Sequence, residues 1–96
     1  MQSGRHKIYE NVSVDELQVK RAGYGFSVSF TVISADEKIT LTMCGVRDIS
    51  LICELLEADR LWVEETEDVQ TEFGRLTLGF YNQAYYEVIF DTLTTE

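Results

Sequence analysis

Apolar and polar residues alternate with a period of two along most of this chain, the mark of strands with one buried face. The clearest run is Phe26-Ser27-Val28-Ser29-Phe30-Thr31-Val32, where Phe26, Val28, Phe30 and Val32 share one face and hydroxyl residues take the other. Ala22-Gly23-Tyr24-Gly25 before it supplies the glycines of a hairpin turn. Further upstream, Val12 alternates with Val14 and Leu17 with Val19, but the phase slips by one at Asp15-Glu16. A bulge, one extra residue in a strand, produces such a slip. From Lys38 to Cys44, Ile39, Leu41 and Met43 alternate with threonines, after a turn at Ser34-Ala35-Asp36-Glu37. Arg75 to Phe80 and Tyr85 to Asp91 form a closing pair around a turn at Tyr81-Asn82-Gln83-Ala84. In the last strand Tyr86, Val88 and Phe90 face one way, and Tyr85, Glu87, Ile89 and Asp91 the other.

Asp48 to Asp59 carries two periods at once. Ile49, Ile52, Cys53 and Leu56 make a helical stripe that Asp48 can cap, whereas Ile49, Leu51, Cys53 and Leu55 fit a strand. Length favours a short helix. Arg60 to Glu65 then reads as a further strand. Short strands joined by tight turns predict a mainly β fold, with α+β as the alternative. The expected architecture is an antiparallel meander of five to seven strands, in one sheet or a small sandwich, with at most one short helix near 48–58. The chain has 96 residues and a hydrophobic share of 45%, enough for one domain with one core. Residues 1–7 are polar and read as a disordered tail outside it.

Charge alters this picture. The formal net charge is −9. Residues 1–53 hold six acids and six bases, while residues 54–96 hold eleven acids and two bases, so the second half carries the whole imbalance. Its densest run is Glu64-Glu65-Thr66-Glu67-Asp68-Val69-Gln70-Thr71-Glu72. Such a run is either a solvated surface or a patch that meets a basic partner. It excludes direct binding to nucleic acid, where phosphate contacts dominate affinity. Trp62 alternates out of phase with Leu61 and Val63, which places it on the outer face beside Glu64 as the best candidate anchor. Trp62, Glu64, Glu65, Glu67, Asp68 and Glu72 are therefore the candidate partner-binding residues. Tyr24, Tyr81, Tyr85 and Tyr86 flank turns and read as cross-strand packing or as contacts with a partner.

Little in the sequence points to chemistry. The single histidine, His6, lies in the polar tail, and acid–base or triad catalysis would have to recruit it. Cys44 and Cys53 lie among apolar neighbours and read as buried free thiols, with no metal-type spacing. The acidic run has oxygens for calcium but no EF-hand pattern. No cofactor, metal or catalytic activity is expected. No apolar run is long enough for a membrane helix and the N-terminus does not resemble a signal peptide, so the expected location is cytoplasmic.

The stretch from Ile39 to Phe90 resembles the small strand-rich immunity proteins of bacterial polymorphic toxin systems. The similarity rests on an alternating apolar strand, its continuation Gly45-Val46-Arg47-Asp48-Ile49-Ser50-Leu51, the Leu61-Trp62-Val63 strand with its acids, and two aromatic closing strands. The helical reading of Cys53 to Asp59 departs from that pattern. The resemblance implies a cytoplasmic inhibitor that binds a cognate toxin domain; joined to the acidic second half, it gives the expectation of a non-catalytic protein that neutralises a basic partner, a toxin or nucleic-acid-acting protein, through an acidic surface. A phage-encoded inhibitor of host defence shares the same profile, and a homodimer or larger homo-oligomer built on a sheet edge is the structural alternative.

Overall fold

The computed structural model describes residues 5–65 and 76–95. Among these residues eight strands form two four-stranded antiparallel sheets: β1 Arg5–Glu10, β2 Ser13–Ala22, β3 Gly25–Ile33, β4 Lys38–Val46, β5 Arg60–Glu65, β6 Leu76–Tyr81, β7 Tyr85–Phe90 and β8 Thr92–Thr95. One sheet has the order β1-β5-β6-β7 and the other β2-β3-β4-β8. Each is a three-strand meander with one strand added from the far end of the chain. The N-terminal strand completes the sheet of β5–β7, and the C-terminal strand completes the sheet of β2–β4. The mainly β class and the antiparallel hairpins therefore stand as the alternation predicts, in two sheets that share one core.

That core takes Val28, Phe30, Val32, Leu41 and Met43 from one sheet and Leu61, Val63, Leu78, Phe80, Val88 and Phe90 from the other. Burying one such aliphatic or aromatic side chain contributes about 1.5–3 kcal/mol, so the two inner faces supply most of the driving force for folding. Two bulges keep the inner faces apolar. In β2 the pairing register shifts between Asp15 and Gln18, where Glu16 adopts φ +56. Val14 and Leu17, three residues apart, can then both turn inward, as the phase slip predicts. In β4 the register shifts opposite Phe26/Ser27, and Gly45 is the extra residue at φ +83. Met43 and Val46 both reach the core, while Cys44 points outward.

The stretch after β4 corrects the helical reading in detail. Ile52–Glu57 is a 3₁₀ turn, and its buried residues Ile52, Leu55 and Ala58 recur every third position, the period of that helix. Cys53 and Leu56, which the wider helical stripe would bury, are exposed. The expectation of two buried thiols is corrected with it, since Cys44 is half-buried on an outer face and Cys53 is exposed; both are free. Asp48 does not cap the turn. Its Oδ1 accepts the Ser50 backbone N–H at 2.9 Å, two residues before the turn begins.

β1 begins at Arg5, inside the segment that its polarity marks as a tail. It pairs with β5, with Ile8 opposite Trp62 and Tyr9 opposite Leu61. β8 holds a single apolar residue, Leu93, opposite Met43. Neither strand carries enough alternation to stand out locally. Arg75, the first residue of the expected fourth strand, lies outside the described residues.

Candidate functional site

The outer faces of the two sheets differ in kind. Over β2–β4 and β8 the outward side chains are mostly serines and threonines, joined by the Ser29 Oγ–Thr42 Oγ1 hydrogen bond at 3.0 Å and the Thr31 Oγ1–Thr40 Oγ1 bond at 3.4 Å. The Glu16 carboxylate also reaches this face, accepting from Thr31 Oγ1 at 3.3 Å. The outer face of β1-β5-β6-β7 is different. Register places Arg60, Trp62 and Glu64 opposite Tyr81, Gly79 and Thr77, and these opposite Tyr85, Glu87 and Ile89.

Trp62 is central to this face. It lies outside the core cluster, as its phase predicts, yet it is only 9% exposed. The absence of a side chain at Gly79, its direct cross-strand partner, opens the space that its ring fills: a Cβ at Gly79 would lie 2.7 Å from the indole. Tyr85 covers the indole from β7, on the far side of β6, with ring centroids 5.7 Å apart and planes 14° from parallel. Tyr81 packs against Tyr85 at 6.4 Å, and the Arg60 guanidinium lies over the Tyr81 ring at 5.2 Å. A cation held on a ring face in this way is attracted by the ring quadrupole. Tyr81 and Tyr85 remain exposed. The surface that meets solvent is thus two tyrosines on a tryptophan base.

Two carboxylates are tied to these rings. Trp62 Nε1 donates to Glu64 Oε2 at 3.2 Å, and the Tyr85 hydroxyl donates to Glu87 Oε2. Each acid is oriented by its own strand, two residues along from the ring it contacts. Glu65 is exposed at the end of β5. Glu67, Asp68 and Glu72 lie outside the described residues, so of the six candidates the structure brings Trp62 and Glu64 together and sets Glu65 next to them. Glu87 is not among the candidates, and Tyr85, read from the sequence as packing or a partner contact, is not among those six. Their signal was the outward phase of the last strand, which becomes meaningful only when β7 is set across Gly79 from Trp62.

The backbone register also sets Arg5 opposite Glu64. The N-terminal strand thus brings basic residues to the sheet that the acidic half builds. At the other end of this sheet Asn82 Nδ2 donates to Glu54 Oε1 and Glu57 Oε1, both at 3.3 Å, which anchors the β6–β7 turn to the 3₁₀ turn. Among the described residues no three His, Cys, Asp or Glu side chains gather as metal ligands, and no helix is long and apolar enough to cross a membrane. Comparison of the chain with protein-family models, curated proteins and solved structures finds no match.

Proposed function

We propose that this protein is a non-catalytic binding protein of the inhibitor or immunity type, which receives a basic protein partner on the outer face of β5–β7. The observation that carries this reading is the Trp62–Tyr85 stack with Glu64 and Glu87 bonded to its two ends. Large rings give contact area at low entropic cost, and tyrosine and tryptophan dominate binding hot spots. Carboxylates already oriented by hydrogen bonds lose little freedom when a lysine or arginine arrives. The Arg60 guanidinium lies over Tyr81 at the margin of this face, while the acids stand beside the stack. Trp62 serves as the support of the contact, Tyr81, Tyr85, Glu64 and Glu87 make it, and Glu65, on the other phase with Leu61 and Val63, stands exposed at the end of the strand beside them. The acidic balance of residues 54–96 adds long-range attraction and speeds encounter.

The test is affinity capture from extracts of the source organism at low and elevated salt, with the native chain and a Glu64→Lys/Glu65→Lys/Glu87→Lys variant. A basic protein should be retained at low salt, released at high salt, and bound at least about tenfold more weakly by the variant. Equal retention by the variant, or the lack of any salt-sensitive basic partner, counts against the reading.

A further inference from the structure

A groove of about 310 Å³ runs between the segment that leaves β4 and the last strand of its neighbouring sheet, β7. Arg47, Asp48, Ser50 and Leu51 form one wall, and Glu87, Val88 and Ile89 the other. β7 is an edge strand, and its backbone register is fixed by the turn before it. The Asn82 N–H donates to the Ala84 carbonyl at 2.9 Å, which makes that pair a bonded rung and Tyr81–Tyr85 an unbonded one. Rungs alternate in an antiparallel ladder, so the N–H and C=O groups of Glu87 and Ile89 point away from β6, toward the groove. Asp91 continues the same phase, and its N–H leaves the sheet to reach the Cys44 carbonyl at 2.8 Å.

Among the described residues no strand covers this edge, which lies beside a cleft that holds exposed Leu51 and Ile89. We infer that the edge of β7 accepts an extended, basic segment of a partner protein as an added strand. Its backbone would bond to Glu87 and Ile89, apolar side chains would lie against Leu51 and Ile89, and its lysines or arginines would face Glu87 and Asp48. Charge selects this occupant. Arg47, the one base among the described lining residues, is paired with Asp91 at 3.7 Å, and Glu87 and Asp48 are the acids of the two walls. A second copy added through its own β7 would bring the two Glu87 side chains together in a molecule of net charge −9, and like charges across a strand pair repel. This inference deepens the proposed function by naming the form of the partner, and it rests on that reading only for the basic character of the segment.

The probe is a short capped peptide with lysine and valine two residues apart and threonines between them, so that both side chains lie on the face of Glu87 and Ile89, compared with its glutamate counterpart and with two forms N-methylated at alternate amides in opposite phases. Added-strand binding predicts that the lysine peptide binds and the glutamate peptide does not. One methylated phase should lose at least about tenfold in affinity, the size of one or two backbone hydrogen bonds, while the other retains it. Ile89→Pro should weaken binding similarly without loss of a β6–β7 bond, because the Ile89 N–H faces outward. Equal binding of the two methylated phases, or no binding of the lysine peptide, overturns the inference. So does a homodimer in sedimentation that Ile89→Pro dissociates. A negative peptide result with intact partner capture removes the added strand alone, and phase-dependent peptide binding without salt-sensitive capture removes the outer-face reading alone.

Discussion

Gly79 and Trp62 face each other across β5 and β6, and the indole occupies the volume that any side chain at 79 would need. Gly79→Ala should destabilise the protein by about 1–3 kcal/mol, as overpacking does, although alanine suits a strand better than glycine. It should also shift tryptophan emission to the red, because the ring must leave its cover under Tyr85; an unchanged melting temperature and spectrum would refute this packing. The outward phase of Trp62 was legible in its own strand. Its cover was not, because Gly79 and Tyr85 are neighbours by register rather than by sequence. Two further residues set opposite pH limits. The Ser50 backbone N–H, and then its side chain, hold the Asp48 carboxyl below the usual carboxylate range. The folded value lies below the unfolded one, so this stabilisation is in force above the unfolded value and fades as pH falls through the folded one. Tyr9 lies the other way: burial, and then the charge of Glu37, push its phenol up. Its stabilisation is in force below the ordinary tyrosine value and is lost as pH rises through the folded one. In an NMR titration the Ser50 amide should move only at pH below the normal aspartate range, and Asp48→Asn should abolish that movement.

Asn11 joins β1 to β2 in the left-handed region at φ +55, with its side chain exposed. Asn11→Val should therefore cost about 1–2 kcal/mol through the backbone alone. Asn11→Gly should leave chemical denaturation within about 0.5 kcal/mol of the native chain. Equal effects of the two substitutions would place the cost in lost side-chain contacts instead. Elements with a strong period were legible: β3, β5 and the inward Tyr86-Val88-Phe90 phase of β7 follow the alternation, and the slip at Asp15-Glu16 became a bulge. The 3₁₀ turn was less so, because Ile49, Ile52, Cys53 and Leu56 fit a 3.6-residue period while the chain settled on a period of three. β1 and β8 gave almost no signal. Each carries few apolar residues and forms because a neighbouring strand offers an open edge.

At the scale of the whole molecule, the net charge of −9 spreads over a body about 36 × 33 × 27 Å, wider than the screening length at physiological salt. Raising the salt from low to physiological should relieve self-repulsion by about 1 kcal/mol and lift the melting temperature by about 4–8 °C. A melting temperature that falls with salt would show that attractive pairs outweigh the repulsion. Hairpin adjacency was readable from the short turns, but the exchange of end strands between the two sheets was not, since no local pattern encodes a pairing of residues 5–10 with 60–65. This exchange also bears on time. During synthesis β2, β3 and β4 can pair as soon as they emerge, whereas β1 must wait for β5, and the edge of β4 waits for β8. Such distant closures put refolding in the millisecond-to-second range rather than that of a hairpin. Of the described strands, the first to be made is among the last to find its place.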